Sequence, residues 1–311
     1  MTEHVNASAS RALVTGAGGF VGRHLCRALR EAGLHVSVLT RPGSVAPPGV
    51  QSVLVDPADV ASMRAAVAGH PCDLVFHLAG TTRAEDAQEV NVEYASRLLD
   101  VLADLPSPPV AVFAGSAAEY GRPSTSSGVV SERDQCRPVS AYGTSKLAQT
   151  RLALAAAERG QAVVVARLFN PIGPGSPITS APGDFVRQVA SLTAAGGTLT
   201  TGPVDAVRDF TGITATVQAL MALAEHPHAR GRIVNVCSGR GVPMAALVEQ
   251  LISLAPGCVT HRIDPRRGGT STLPIVVGDD ALLRDLGVTL PPLDLAAELR
   301  AMLAAEGAPP S

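Results

Sequence analysis

A run of glycines near the start of the chain constrains its fold more than any other feature. The segment TGAGGFVG, residues 15–22, follows the apolar run RALVT and precedes the helical stretch FVGRHLCRALREA, which Gly33 closes. Such a turn permits a tight bend, a close approach of the backbone to a diphosphate, and close packing of helix on sheet. A purely structural turn is the alternative. The residues predicted to bind a dinucleotide here are Gly16, Gly19, Phe20, Val21 and Gly22.

Apolar runs and helical patterns alternate along the first two-thirds of the chain. Strands of this kind, separated by helices, predict a parallel sheet that is covered on both faces. We expect an α/β fold: a doubly wound Rossmann domain over 1–169 and 206–236, and a smaller, discontinuous substrate lobe over 170–205 and 237–311. The predicted strands are 35–40, 73–79, 110–116, 163–169 and 232–237, the predicted helices 58–68, 86–105, 140–159, 213–225, 243–254 and 294–305, and the predicted loops 170–184 and 266–274.

The composition excludes several classes of protein. The formal net charge is -2, which argues against a partner held by charge alone, so we expect neither nucleic acid nor a membrane surface as a partner. Hydrophobic residues make up 46% and charged residues 17%, unlike a disordered chain. The five cysteines are scattered without CxxC spacing, and the first residues lack a secretory pattern. We therefore expect a cytoplasmic protein without a metal site.

The basic residues are unusual because 24 are arginine and Lys146 is the only lysine. Tyr142 lies four residues before it on a predicted helix, which places both side chains on one face. An ammonium near a phenol stabilises phenolate, lowers the pKa of the phenol, and can also bond ribose hydroxyls. A solvated helical pair would not explain why arginine was not used here. Tyr142 and Lys146 are therefore predicted to be catalytic and to contact the cofactor.

The end of the second predicted strand bears on the choice of cofactor. Enzymes that use NAD usually carry a carboxylate there for the ribose 2′-hydroxyl, whereas this chain reads Leu39-Thr40-Arg41. Arg41 can pair with a 2′-phosphate, which favours NADP(H) and leaves NAD(H) possible; a solvated surface arginine is the alternative. Asp56 ends the next apolar segment and can accept the adenine amine or cap the following helix.

Ser116 closes the apolar run VAVFAGS at a predicted strand end. Ligands of open α/β folds bind at the carboxyl edge of the sheet, where a hydroxyl can donate to a substrate carbonyl. A turn residue or a helix cap is the alternative.

These motifs together resemble the extended short-chain dehydrogenase/reductase family. The resemblance rests on TGAGGFVG (15–22), HLAG (77–80), GSAAEYG (115–121), YGTSK (142–146), RLFNPIGPG (167–175), RDF (208–210) and NVCSG (235–239), and it spans roughly 11–305. It implies a Rossmann domain with a lobe for a nucleotide-diphosphate sugar. It also implies these roles: Tyr142 as acid/base, Lys146 as its partner, Ser116 as carbonyl donor, Leu78 and Ala79 at the cofactor, and Ala117, Asn170 and Arg208 at the substrate.

Within that family the chain most resembles the GDP-4-keto-6-deoxymannose reductases. The related 4,6-dehydratases carry an Asp-Glu pair where this chain has Ala117 and Ala118, and elimination of water needs that acid and base. We therefore predict an NADPH-dependent reduction of the 4-keto group of a nucleotide-diphosphate 4-keto-6-deoxyhexose. An NAD-dependent nucleotide-sugar epimerase is the alternative, and a non-catalytic dinucleotide sensor is a third hypothesis that the Ser116, Tyr142 and Lys146 set argues against.

Apolar residues cover much of the circumference of the helix at 140–159, so one face can contact the sheet and another needs cover. The helices at 86–105 and 140–159 are therefore predicted to form a homodimer interface, with Ala153 and Ala156 as test positions. The alternative is an alanine-rich surface that merely favours helix.

Overall fold

The computed structural model describes residues 10–267 and 273–307. Outside the described residues lie 1–9, where the sequence lacks a secretory pattern, and 268–272 of the predicted loop 266–274. The strands are β1 Arg11–Thr15, β2 His35–Thr40, β3 Gln51–Leu54, β4 Leu74–His77, β5 Val110–Ser116, β6 Val129–Val130, β7 Val163–Leu168, β8 Pro171–Ile172, β9 Gly197–Thr201, β10 Val207–Asp209, β11 Thr211–Gly212, β12 Ile233–Val236, β13 Gly241–Pro243, β14 Val259–Ile263 and β15 Ile275–Gly278. The α-helices are α1 Phe20–Glu31, α2 Val60–Gly69, α3 Tyr94–Ala103, α4 Ala141–Glu158, α5 Ala181–Ala190, α6 Ile213–Glu225, α7 Met244–Ser253, α8 Ala281–Asp285 and α9 Leu295–Glu306.

The main sheet contains seven strands in the order β12-β7-β5-β4-β1-β2-β3. β1 pairs in parallel with both β2 and β4, so the strand order reverses on either side of it. A reversal of this kind opens a crevice at the carboxyl edge, where open α/β folds bind their ligands. The predicted α/β fold with a doubly wound, Rossmann-type sheet is confirmed. None of the described helices is long and apolar enough to span a membrane.

Two compact, discontinuous units share the chain. Within the described residues, the first comprises 10–115, 144–166 and 220–234, and the second comprises 116–143, 167–219 and 235–307. This division follows packing, and it places 116–143 in the second unit rather than with the predicted Rossmann domain. The predicted boundaries, drawn by function, stay a prediction.

The core of the first unit lies between its sheet and the helices α2, α3 and α4. Strand residues such as Leu13 and Phe113 are fully buried there, and so are Ala153 and Ala156 of α4. The placement of these two alanines on an outer dimer face was therefore wrong. An alanine-rich helix hides which of its faces is internal, because its apolar residues run around the whole circumference.

The core of the second unit forms where α5, α7 and α9 pack around Leu199 and Phe210. The predicted loop 170–184 was wrong at both ends, because Pro171–Ile172 forms β8 and α5 begins at Ala181. The Ser180 side chain caps α5 by accepting the Gly183 N–H at 3.3 Å. Pro182 is tolerated in the first turn, where its missing N–H would have no helical partner.

Candidate active site

The glycine-rich loop between β1 and α1 has the geometry that was predicted for a diphosphate cradle. Gly16 has φ +71°, and a Cβ there would lie 2.5 Å from the Ala79 nitrogen. A Cβ at Gly22 would lie 2.2 Å from the Gly16 carbonyl oxygen, so both positions require glycine. α1 begins after Gly19 without a side-chain cap, which leaves the N–H groups of its first turn, at Phe20 and Val21, available to an anion. The residues present fit a dinucleotide.

His77 at the end of β4 holds this loop together. It begins the HLAG motif, for which the sequence predicted no role of the histidine. It is fully buried, and its Nδ1 lies 2.9 Å from the Thr15 hydroxyl, which accepts the Ala79 N–H at 3.3 Å. Burial, with a further effect of the Lys146 charge, lowers the pKa of His77 to about 3. The imidazole is therefore neutral and positions the strand ends that approach Gly16.

Arg41, predicted to select the cofactor, and Asp56, predicted to contact its adenine, lie just after neighbouring strands. Arg41 is exposed directly after β2. Asp56 is also exposed, and its carboxylate accepts the Ala58 N–H at 2.9 Å. The helix cap proposed as the alternative for Asp56 is instead Asp59, whose side chain accepts the Ala61 N–H. Asp56 thus forms a local turn, and its contact with adenine stays a prediction.

Lys146 is almost completely buried on α4, with only 4% of its surface exposed. Its ammonium donates to Gln149 Oε1 at 2.7 Å, and Gln149 Nε2 donates to the Ala114 carbonyl of β5 at 3.1 Å. Gln149 therefore fixes the ammonium relative to the sheet. Only spacing could have pointed to it, because a residue three positions after Lys146 lies on the same helical face.

The start of α4, which carries Tyr142, packs on the turn after Ser116. Ser116 ends β5 and caps the short helical turn Ala117–Glu119. A Cβ at Gly143, the residue after Tyr142, would lie 2.4 Å from the Ala118 carbonyl oxygen of that turn. Both interpretations of Ser116, as a cap and as an active-site hydroxyl, are thus compatible with one geometry. Burial raises the pKa of Tyr142, an interaction with the Ser116 side chain lowers it, and the charge of Glu119 raises it. The net shift is upward because desolvation of the phenolate dominates, so the predicted net lowering of this pKa was wrong for the protein alone.

Asn170 and Arg208, two further residues predicted to contact the substrate, form hydrogen bonds within the second unit. Asn170 has φ 33°, in the left-handed region, and its Nδ2 donates to the Asp209 carbonyl at 2.7 Å. Arg208 donates to the carbonyls of Val207 at 2.8 Å and Leu273 at 2.9 Å. Their contacts with a substrate stay predictions, as does that of Ala117.

Asp209 joins several strand ends through hydrogen bonds, a role that the sequence did not predict. Its fully buried carboxylate accepts the Ser238 N–H and hydroxyl and the N–H groups of Gly239 and Gly278, at distances from 2.6 to 3.2 Å. These bonds tie β10 to the ends of β12 and β15. Among the described residues no group of His, Cys, Asp and Glu has the arrangement of a metal site.

Sequence comparisons place the chain in a known family. The family model described as NAD dependent epimerase/dehydratase matches residues 12–237. A dTDP-6-deoxy-L-talose 4-dehydrogenase (NAD(P)(+)) of Kitasatospora kifunensis is 31% identical over 88% of this chain and 90% of its own length. A GDP-6-deoxy-D-mannose reductase of Pseudomonas aeruginosa is 29% identical over 94% and 96%.

One solved structure extends the similarity to three dimensions. The structure of RMD from Pseudomonas aeruginosa complexed with NADPH superposes with a TM-score of 0.81 at 28% identity, and covers 96% of this chain and 97% of that one.

Proposed function

Because the chain belongs to the NAD dependent epimerase/dehydratase family, we propose that it reduces the 4-keto group of a nucleotide-diphosphate 4-keto-6-deoxyhexose with NADPH. It is an NAD(P)-dependent enzyme of the extended short-chain dehydrogenase/reductase type, and its family modifies nucleotide sugars. The observation that carries the proposal is the packing of the start of α4, with Tyr142, on the turn that Ser116 caps, where a Cβ at Gly143 would lie 2.4 Å from the Ala118 carbonyl oxygen; burial also raises the pKa of Tyr142. A protonated phenol beside a second hydroxyl is what carbonyl reduction requires of the protein.

The cofactor side is assigned to residues of the first unit and of α4. Gly16, Gly19 and Gly22 would admit the diphosphate to the N-terminus of α1, with Phe20 and Val21 supplying N–H groups. When bound, the nicotinamide group supplies the hydride.

Three further residues complete the proposed cofactor contacts. Arg41 would pair with the 2′-phosphate of NADPH, and Asp56 would accept from adenine. Lys146, fixed by Gln149, would use its remaining donors for ribose hydroxyls.

The substrate side follows from the second unit. Ser116 would donate to the carbonyl oxygen, and Tyr142 would give its proton to the oxygen as the carbonyl becomes an alcohol. The two positions directly after Ser116 are Ala117 and Ala118, where a 4,6-dehydratase needs an acid and a base. Asn170 and Arg208 would contact the sugar or the diphosphate.

An NAD-dependent epimerase remains the second candidate, because it would use the same tyrosine and lysine and the family model covers epimerases. The two differ in stoichiometry, since an epimerase returns its hydride and consumes no cofactor. We would incubate the protein and NADPH with a panel of GDP-, dTDP- and UDP-4-keto-6-deoxyhexoses. Consumption of NADPH with one of them supports the reductase. In a second incubation, with NAD⁺ and the corresponding 4-hydroxy nucleotide sugars, isomerised sugar without net formation of NADH supports the epimerase.

We expect Arg41→Ala to weaken NADPH binding much more than NADH binding. Loss of one charge-assisted contact to the 2′-phosphate costs about 1.5–3 kcal/mol, roughly ten- to a hundredfold in Kd. Fluorescence titration with both cofactors measures the ratio, and Arg27→Ala, an exposed arginine on α1, is the matched control. A wild-type preference for NADH, or a ratio unchanged by Arg41→Ala, would favour the epimerase instead.

We further propose a homodimer through the outer faces of α3 and α4. The partly exposed apolar residues Leu147 and Leu154 lie two turns apart on the same side of α4, away from the buried alanines. Leu154→Glu should give a monomer of 31.7 kDa by light scattering at micromolar concentration, whereas the wild-type mass should be twice that. Leu54→Glu, on the exposed edge strand β3, should stay dimeric. A wild-type monomer would refute the dimer.

A further inference from the structure

A buried carboxylate lies directly behind Ser116. Glu119 has no exposed surface, and its Oε1 accepts the Ser116 N–H at 2.8 Å. In return the Ser116 hydroxyl oxygen accepts the Ala118 N–H at 3.2 Å, so the two side chains close a reciprocal cap. The position of the Ser116 side chain is therefore set by Glu119.

The same carboxylate forms a buried ion pair. Its Oε2 accepts from Arg167 Nε at 2.8 Å, and the two side chains are 0% and 2% exposed. Arg167 lies over the Tyr120 ring at 4.6 Å and donates to Cys136 Sγ at 3.2 Å. Desolvation makes such a pair a weak source of stability, and apolar replacements are often as stable. The retained charge therefore calls for an explanation beyond stability.

The charge of Glu119 reaches the phenol of Tyr142. Glu119 accepts the Ser116 N–H, and the start of α4 packs on the same turn, since a Cβ at Gly143 would lie 2.4 Å from the Ala118 carbonyl oxygen. Burial is the largest cause that raises the pKa of Tyr142, and the negative charge of Glu119 raises it further. The carboxylate thus acts on the same group that the proposed reaction uses as its acid.

We propose that Glu119 is a positioning residue that fixes Ser116 beside the start of α4, and that its charge acts on Tyr142, the acid of the proposed carbonyl reduction. Reduction takes a proton from Tyr142, whereas oxidation of an alcohol needs the phenolate to accept one. A negative charge at Glu119 therefore extends to higher pH the range in which the enzyme has the protonated Tyr142 that reduction uses. This use of the protonated phenol rests on the proposed function, while the coupling of Glu119 to Tyr142 does not.

Other charged groups bear on the same chain of contacts. The positive charge of Arg167 partly cancels the effect of Glu119 on Tyr142. A neutral side chain at position 119 would leave that positive charge uncompensated, which also favours the phenolate form of Tyr142. Further titratable and charged groups neighbour Glu119 and Tyr142. They are Tyr120 in the turn after β5, Glu132 and Cys136 in the segment before α4, Arg167 on β7, and Lys146 one turn from Tyr142 on α4.

The tyrosine content of the chain permits a direct measurement. It has three tyrosines and no tryptophan, and burial raises the pKa of the other two, Tyr94 and Tyr120. The ultraviolet absorbance of phenolate, followed against pH in each protein and in its Tyr142→Phe counterpart, gives the titration of Tyr142 by difference. We expect Glu119→Gln to move that titration to lower pH by about one unit. The alkaline fall in reductive kcat should move in the same direction.

Three variants separate charge from structure. Glu119→Asp keeps the charge and should titrate near wild type, and so should the matched control Glu132→Gln, whose carboxylate accepts the Asn235 N–H. If Glu119→Gln does not fold, Glu119→Gln with Arg167→Met removes both charges and should still titrate below wild type. A folded Glu119→Gln variant, alone or combined with Arg167→Met, that titrates at the wild-type pH would overturn the role of Glu119.

The titration uses no substrate, so it is decided separately from the reductase assignment. A shift without reduction of any sugar in the panel would refute the proposed function and the use of the protonated phenol in reduction while supporting the coupling. Normal reduction with an unshifted titration would refute the role of Glu119.

Discussion

Replacing Tyr142 with phenylalanine is expected to lower kcat by about a hundredfold or more and to leave NADPH affinity nearly unchanged. The ring keeps its packing, but the proposed reaction loses its proton donor. The proposed cofactor contacts of Lys146 should persist, because its ammonium still donates to Gln149 Oε1. Steady-state kinetics and fluorescence titration of NADPH measure the two quantities.

The matched control for that variant is Thr144→Ala, an exposed position in the same turn of α4. It should retain turnover close to that of the wild type. Turnover near the wild-type rate in Tyr142→Phe would remove the phenol from the chemistry and with it the assignment of the site.

Lys146→Arg is the second change with a large expected effect, although it keeps the charge. The ammonium is enclosed, with 4% of the side chain exposed and Gln149 Oε1 at 2.7 Å. A planar guanidinium is larger and would displace Gln149 from the Ala114 carbonyl. We expect kcat/KM to fall by about a hundredfold or more, with weaker NADPH binding as well.

The control uses the exposed arginine on the same helix. Arg151→Lys should be mild in the same assays, because a solvated cation tolerates the exchange. Full activity in Lys146→Arg would mean that the single lysine is an accident of composition.

The parts of this molecule that were predictable from sequence depend on neighbours along the chain. The glycine loop, the Tyr142 to Lys146 spacing and the strand β5 ending at Ser116 are local patterns, and each lies where it was expected. The start of α5 was not predicted although its signal is also local. Pro182, two residues after the Ser180 cap, is as typical of a loop as of a first helical turn.

The rest depends on contacts between residues far apart in sequence. Glu119 meets Arg167 across 48 positions, and Asp209 collects donors from Ser238 and from Gly278, which is 69 positions away. The direction of the pKa shift of Tyr142 also follows from burial, which spacing on a helix does not reveal. Likewise, which face of α4 is internal became evident only when Ala153 was found in the core.

The central claim is net transfer of hydride from NADPH to the 4-keto carbon of a nucleotide sugar. NADPH that carries deuterium at the transferable position of its nicotinamide ring would be incubated with the protein and the best substrate of the panel. We predict one deuterium at C4 of the product by mass spectrometry, and one NADP⁺ formed for each sugar reduced. A sugar that gains no deuterium while NADPH stays constant would contradict the account.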